Sequence, residues 1–346
     1  MKVLVIGGTR FIGLHIVRQL VDLGHEVTTF NRGISPGQLP PGVKRLYGDR
    51  KDHTRMREVL GGQQFDAIID TSAFTLDDVK IIVELFKGRI KSYVYTSTVG
   101  VYQRTELAPI TEEFPRFQGF RDPILTIPAT SAWYPTDKSD TEDYLLDLYK
   151  REGFPTTVIR PTNVYGPDSG GQQELLLFIR LLRGRPILLP GDGNSFLHLG
   201  HVDDVAAVHV AVLSSPRALG EAFHIGDRYA VTQKGLVEMV ARIAGKEPNI
   251  VHIPVDVAKA VDQQVFPFAR RPDGIWRWSA IYSIQKCLDH LDGWKPKYDT
   301  ESGLRQYFQW IQENKLDQTK GDFTYEDEIL RRLNQGVATP RRRSEG

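Results

Sequence analysis

The sequence predicts an α/β fold, a doubly wound parallel sheet with a smaller C-terminal domain interleaved into it. Three observations predict it. A continuous apolar run over residues 3–6 opens the chain, as a parallel strand covered on both faces requires. Short strand-like runs then alternate with segments of helical periodicity, the pattern of β-α-β winding. Beyond Arg160 the alternation gives way to longer helical stretches and turn signals, which implies a second, smaller packing unit.

The elements follow in order. Residues 3–6 are too short for a secretion signal and read as the first strand. Ile12, Ile16, Leu20 and Leu23 recur at helical spacing, and Gly24 stops that helix. Residues 26–30, 44–47, 67–70 and 92–97 read as further strands, with a helix over 76–86. Later helices are expected over 174–182, 202–214 and 236–244, with a turn at Pro190-Gly191-Asp192-Gly193. From about Leu316 apolar residues thin out; Phe323, Ile329, Leu330 and Leu333 suit one docked helix, and Pro340-Arg341-Arg342-Arg343 reads as a frayed tail.

Composition narrows the function classes. Lys and Arg total 44 against 43 Asp and Glu, a net charge of +1. That balance lacks the basic excess of a nucleic-acid-coating surface, so nucleic acid is not the expected partner. No run of about 18 apolar residues appears, so no membrane span is expected. The single cysteine, Cys287, cannot form an internal disulfide; it fits a reducing compartment, and a cytoplasmic location is expected. It has no Cys/His spacing of a zinc site around it, so no metal is expected, and it reads as a structural, partly buried thiol.

Gly7-Gly8-Thr9-Arg10-Phe11-Ile12-Gly13 leaves the first strand and opens the first helix. In that context glycines serve a tight turn and close helix–sheet packing, and the helix N-terminus faces a pyrophosphate. The stretch reads as the dinucleotide-binding turn of a Rossmann unit, with Arg10 at the middle glycine of G-x-x-G-x-x-G; the alternative is a strand–helix turn without ligand. Residues 1–165 are therefore the expected dinucleotide-binding domain, with a sheet strand returning near 220–226. Residues 166–315 are mainly the expected substrate domain, and 316–346 a C-terminal extension. After the second strand stand Asn31-Arg32 rather than the acidic residue that holds a ribose 2′-OH. Arg32, with Arg10, can pair with a 2′-phosphate. The expected cofactor is NAD(P), with NADP favoured over NAD. Asp49-Arg50 after the third strand borders the adenine in this reading, or else Arg50 is a solvated surface charge. Gly7, Thr9, Arg10, Phe11, Ile12, Asn31, Arg32, Asp49, Arg50, Thr71, Ser72, Ala73 and Thr96 make up the first part of the expected cofactor set.

Tyr134-Pro135-Thr136-Asp137-Lys138 carries Y-x-x-x-K. At i,i+4 the two side chains share one helix face. An ammonium beside a phenol stabilises the phenolate, which can then exchange a proton with a substrate hydroxyl near neutral pH. Lys138 can also hold the nicotinamide ribose. Pro135 pushes Tyr134 to the very start of the helix, where a proline in the first turn is tolerated. Ser97 and Thr98 end a strand, where a hydroxyl can bridge the substrate oxygen and Tyr134, or merely bond to backbone.

Together these residues resemble the extended short-chain dehydrogenase/reductase family, the nucleotide-sugar epimerase and dehydratase group. Further matching pieces are Ser97-Thr98-Val99-Gly100-Val101-Tyr102, Tyr134…Lys138…Glu142, Arg160-Pro161-Thr162-Asn163-Val164-Tyr165-Gly166-Pro167, Gly191-Asp192-Gly193, His201-Val202-Asp203-Asp204-Val205-Ala206 and Gly293-Trp294-Lys295-Pro296. Gly-Gly-Thr-Arg-Phe-Ile-Gly with Asn-Arg after the second strand resembles an atypical branch, that of chloroplast stem-loop RNA-binding proteins and bacterial reductase-like chains. The resemblance implies catalytic roles for Thr98, Tyr134 and Lys138. It implies that Pro161, Asn163 and Val164, with Tyr134 and Lys138, complete the cofactor site. It implies substrate contacts from Thr98 and Asn163, a nucleotide-sugar pocket formed in part by 172–192, and a diphosphate clamp from Arg270 or Arg271. Family members also dimerise through helices after the fourth and fifth strands, here around 76–86 and 141–148, which leaves a homodimer open.

Departures from the pattern shape the expected reaction. Family dehydratases carry Asp-Glu directly after the catalytic Thr, where this chain has Val99-Gly100, and the decarboxylases' glutamate of this region is missing too. Dehydration and decarboxylation are thus disfavoured. Phe196-Leu197-His198-Leu199 stands where relatives often carry a phosphate-binding arginine, which weakens the case for a diphosphate substrate. The expected function is an NAD(P)-dependent oxidoreductase or epimerase acting on a nucleotide-sugar or related hydroxyl or carbonyl compound. The alternatives are an NADPH-dependent ketone or keto-sugar reductase and a non-catalytic RNA- or partner-binding protein on the same fold.

Overall fold

The structure, a computed structural model, describes residues 1–35, 37–103, 105–118, 134–169, 173–254, 279–319, 321 and 323–334. Its central element is a seven-stranded parallel sheet. The strands are β1 (Lys2–Ile6), β2 (Glu26–Asn31), β3 (Lys44–Tyr47), β4 (Ala67–Asp70), β5 (Ser92–Thr96), β6 (Thr156–Pro161) and, returning late from the sequence, β11 (Ala222–Ile225). Their order is β11-β6-β5-β4-β1-β2-β3. Short strands outside it are β7 (Asn163–Tyr165), β8 (Ile187–Pro190), β9 (Phe196–Leu197), β10 (Leu199–His201), β12 (Val231–Thr232) and β13 (Ile250–Ile253).

The winding follows from side-chain alternation in a strand with no wet face. Leu4 and Ile6 point to one core, with Phe30, Ile68, Tyr93, Tyr95 and Val158. Helices α2 (His53–Leu60), α3 (Leu76–Phe86) and α4 (Tyr134–Glu152) supply Met56, Ile82 and Leu145 to that core. Val3 and Val5 point to the opposite core, with Val27, Ile69, Val94, Ile159 and Phe223. Helices α1 (Phe11–Asp22) and α6 (Val202–Ala211) cover it with Ile16, Leu20, Val205 and Val208. The edge strand β3 exposes Lys44 and Arg45, charges that discourage pairing with another chain.

Strand order reverses direction between β1 and β4, because β2 and β3 wind to one side and β5, β6 and β11 to the other. A crevice opens outside the carboxyl ends of the strands at such a switch point. Gly7 and Thr71 immediately follow β1 and β4, so both stand at that crevice.

Helix limits differ from the sequence reading where capping decides them. Helix α7 (Gln233–Ala244) starts three residues before Leu236, because Thr232 Oγ1 accepts the Gly235 N–H and fixes the first turn. Helix α6 stops at Ala211 and passes into a 3-10 turn, Val212–Ser214. The docked helix expected around 323–333 is α11 (Thr324–Asn334); a separate short helix, α10 (Leu316–Thr319), precedes it, after α8 (Gln285–His290) and α9 (Thr300–Glu313).

Chain contacts divide the molecule into two compact units. The first comprises 1–172, 197–231 and 280–310; the second comprises 173–196, 232–279 and 311–346. Within the second, α5 (Gln173–Leu182) and α7 accompany the parallel pair β8–β13. Arg180 and Arg185, in and after α5, pair with Glu326 and Asp327 of α11. Among the described residues no helix is long and apolar enough to cross a membrane.

Candidate cofactor and proton-transfer site

The glycine turn is built by close approach. Gly7 has φ +104, and a Cβ there would lie 2.4 Å from Thr71 Oγ1. A Cβ on Gly13 would lie 2.7 Å from the Gly8 nitrogen, so only glycine lets α1 start this near the sheet. Arg10 precedes the helix in extended conformation with no side-chain cap, which leaves the first-turn N–H groups available to an anion. Beside the turn lies a cavity of about 490 Å³. Gly7, Thr9, Arg10, Asn31, Arg32, Asp49, Arg50, Thr71 and Ser72, all from the expected cofactor set, line it. Arg10 and Arg32 are exposed at this cavity, while Asn31 Oδ1 accepts the Gly33 N–H and tightens the bend after β2.

Arg50 is not a solvated surface charge; that alternative is overturned. Its Nη1 donates to Asp70 Oδ1 at 2.8 Å and to Ser72 Oγ at 2.9 Å. Its Nη2 donates to Asp70 Oδ2 at 3.1 Å and to the Asp78 carbonyl at 2.8 Å. Its Nε lies 3.3 Å from Asp78 Oδ1, an ion pair without hydrogen-bond alignment. All its donors therefore point inward, and Arg50 lines the cavity as part of a buried ion cluster. Burial opposes the charge, but Asp70 and Asp78 outweigh it and hold Arg50 above its ordinary value.

Helix α4 opens at Tyr134 with Pro135 in its first turn, as the Tyr-Pro order requires. One turn on, Lys138 is buried. Its Nζ donates to the carbonyls of Ala73 at 2.6 Å and Thr96 at 2.7 Å. The ammonium lies 4.7 Å from the ring centroid of Tyr95, 5.0 Å from that of Phe74 and 5.9 Å from that of Tyr134. Burial drives the Lys138 pKa down to about 7; Asp70 counters burial and Arg50 adds to it. Lysine and tyrosine thus share one helix face, as the spacing implies, and Ala73 and Thr96 enter the site through their backbone oxygens. The Thr96 hydroxyl instead pairs with His209 Nε2 at 2.9 Å. Thr98 follows β5, and its Oγ1 accepts the Gly100 N–H at the start of the 3-10 turn Val99–Val101.

The remaining expected residues fall as follows. Phe11 opens α1 with φ +41, and Ile12 packs against the second core. Pro161 is buried at the end of β6, and Val164 is half-buried in β7. Asn163 is exposed, and its backbone and side-chain N–H groups both donate to the His198 carbonyl. His198 itself is buried between the Asp227 carbonyl and the Tyr282 N–H. Arg270, Arg271 and the arginine-rich tail lie outside the described residues. Cys287 is fully buried, and burial pushes its thiol up.

Two charge clusters do not follow from the sequence pattern. Arg160, 1 % exposed, donates to Glu142 through Nη2 at 2.7 Å and through Nε at 3.1 Å, and to the Tyr102 hydroxyl at 2.5 Å. Arg116 adds a second guanidinium to Glu142 at 2.8 Å. Near the turn of α1, His15 is buried between Asp203, 2.6 Å from Nδ1, and Asp168, 3.3 Å from Nε2. Burial lowers its pKa, but the two carboxylates prevail and hold it above the ordinary histidine value. The sequence did carry one signal: Arg160 interrupts an otherwise uncharged strand, and a charge in a covered strand requires a buried partner.

Comparison with known proteins agrees with this architecture. A model of the NAD dependent epimerase/dehydratase family matches residues 3–226. The chain is 32% identical over 343 residues to chloroplast stem-loop binding protein of 41 kDa b from Arabidopsis thaliana, covering 95% of this chain and 84% of that one. It is 25% identical over 307 residues to 2'-dehydrokanamycin reductase from Streptomyces kanamyceticus, covering 88% and 81%. The crystal structure of UDP-glucose 4-epimerase from Thermotoga maritima with UDP-glucose superposes with a TM-score of 0.73 at 22% identity, covering 91% of this chain and 99% of that one.

Proposed function

The chain belongs to the NAD dependent epimerase/dehydratase family, and from that premise we propose that it catalyses NAD(P)-dependent oxidation–reduction at a carbinol or carbonyl carbon, most simply as a nucleotide-sugar epimerase. The observation that carries this reading is the buried Lys138 ammonium, fastened by two carbonyls one helical turn beyond Tyr134. The uncapped start of α1 and the cavity beside Gly7 and Thr71 fit a dinucleotide pyrophosphate.

When bound, the nicotinamide supplies the hydride exchange. The protein's own groups manage the proton. Tyr134 exchanges it with the substrate oxygen, and the charge on Lys138 favours the phenolate that accepts it. Thr98, just beyond β5, hydrogen-bonds the same substrate oxygen and orients it. Val99 and Gly100 supply no third acid or base, so neither dehydration nor decarboxylation is the favoured outcome. Arg32, exposed at the cavity, favours a 2′-phosphate and so NADP over NAD.

A second reading, a reductase that consumes free NADPH on a ketone or keto-sugar, draws on Arg32 and on the likeness to 2'-dehydrokanamycin reductase. A third, stem-loop binding without catalysis, draws on the chloroplast relative, but the net charge of +1 offers little to a phosphate backbone.

The nucleotide that co-purifies, identified by mass, separates the first two: tightly held NAD fits an epimerase, and loosely held, freely exchanging NADP(H) fits a reductase. NMR of products from UDP- and dTDP-sugars then tests the reaction. Absence of turnover on all of them with cofactor bound removes the epimerase reading. Retention of a stem-loop RNA at physiological salt by cofactor-free protein supports the third.

A further inference from the structure

Behind the carbonyl that holds Lys138 lies a second layer of charge. The peptide group joining Ala73 and Phe74 is engaged at both ends. Its C=O accepts from Lys138 Nζ at 2.6 Å, and its N–H donates to Asp78 Oδ2 at 2.9 Å. The preceding peptide donates its Ala73 N–H to Asp70 Oδ1 at 3.0 Å. Two fully buried carboxylates are thus fastened to the back of the segment whose front holds the ammonium.

Asp78 closes the capping box of α3 by accepting the Thr75 N–H at 3.0 Å, which any such cap would do. A cap alone does not need the rest of its environment. Oδ1 also accepts from Lys51 Nζ at 2.7 Å and lies 3.3 Å from Arg50 Nε. Burial raises the Asp78 carboxyl, but Arg50, Lys51 and the Phe74 and Thr75 N–H groups outweigh it and hold it at about 2. Asp78 is therefore ionised throughout the working pH range.

A carboxylate on the N–H end of an amide polarises it and makes its carbonyl oxygen a stronger acceptor. We propose that Asp78, acting alongside Asp70 and opposed by Arg50 and Lys51, is a positioning residue that tunes the charge state of Lys138 through the Ala73–Phe74 peptide, and with it the pH range of proton transfer at Tyr134. The catalytic consequence rests on the oxidoreductase reading; the electrostatic relay does not. Among the described residues, the charged groups acting on Lys138 are Asp70 at the end of β4, Asp78 on α3, Arg50 after β3 and Glu142 on α4, with the Tyr95 and Tyr134 rings beside it. The three carboxylates favour the ammonium and Arg50 disfavours it.

The relay makes predictions of opposite sign for substitutions in one cluster. Full-length protein with 13C at the lysine ε carbon is titrated by NMR, with the Lys138 signal assigned by its loss in Lys138→Arg. Asp78→Asn keeps an acceptor oxygen but removes the charge, and moves the Lys138 titration to lower pH by about one unit. Lys51→Met leaves Asp78 less neutralised and moves it to higher pH by a smaller amount. Lys51 is exposed, so this variant keeps the test decisive if Asp78→Asn does not fold. Shifts of the same sign in both folded variants, or an unmoved Lys138 signal in Lys51→Met, overturn the relay. The alkaline limb of kcat/KM follows the same directions. Opposite NMR shifts without turnover on any substrate leave the relay standing and remove the enzyme reading; turnover with an unmoved Lys138 signal does the reverse.

Discussion

Lys138 and Glu142 sit one turn apart on the same helix, both buried, and the protein treats their charges in opposite ways. Glu142 faces two full countercharges, Arg160 and Arg116. Lys138 donates to two backbone carbonyls, and Asp70 and Asp78 are bonded to the N–H groups of the Ala73 and Phe74 peptides behind it. A buried ion matched by direct opposite charge is held by its pair, because losing either partner strands the other. A buried ion matched by dipoles sits near the balance between burial and attraction, and Lys138 accordingly lies at about 7. The contrast separates a charge that holds α4 to β6 from a charge close to the balance between its two states.

The contrast can be broken at either end. Its largest expected effect is catalytic: Tyr134→Phe lowers turnover by about 10²–10⁴-fold while cofactor affinity, read by fluorescence titration, stays near wild type. An unchanged turnover moves the chemistry elsewhere. Next in size, Glu142→Gln leaves Arg160 buried without a full countercharge and lowers stability by about 3–5 kcal/mol in urea unfolding. Lys138→Met, which removes an ion that burial already disfavours, costs much less in the same assay. Equal losses erase the distinction.

His15 offers an intermediate case, a titratable ring between two carboxylates. Its folded pKa is raised, so its contribution is fully present below the unfolded value of 6.5 and is lost as pH rises through the folded value. The stability gap between wild type and His15→Gln is therefore about 2 kcal/mol in acid and narrows towards pH 9, as thermal melts across that range read out. A gap that widens with pH contradicts the pairing. The smallest effect belongs to the exposed cation: Arg32→Ala weakens NADP binding by about tenfold and leaves NAD unchanged in calorimetric titration.

Local features were legible beforehand. Gly7 and Gly13 announce a close approach wherever a strand runs into a helix, and the limits of α3 follow from periodicity alone. The start of α4 follows from the Tyr-Pro order. Arg50 was ambiguous because a charge after a strand looks the same whether it turns outward or inward. Its partners, Asp70 and Asp78, lie 20 and 28 residues away in sequence. Glu142 and Arg160 both stand in recognisable motif pieces, yet nothing adjacent to either one announces that they pair.

The sequence by itself determined the parallel sheet, the glycine turn and the Tyr134–Lys138 spacing, because each arises from backbone geometry within a few residues. Only the tertiary structure decided which charges are buried together. That choice depends on strands and loops far apart in the chain meeting in one low-dielectric interior, where a carboxylate such as Asp78 acts on an ammonium it does not touch.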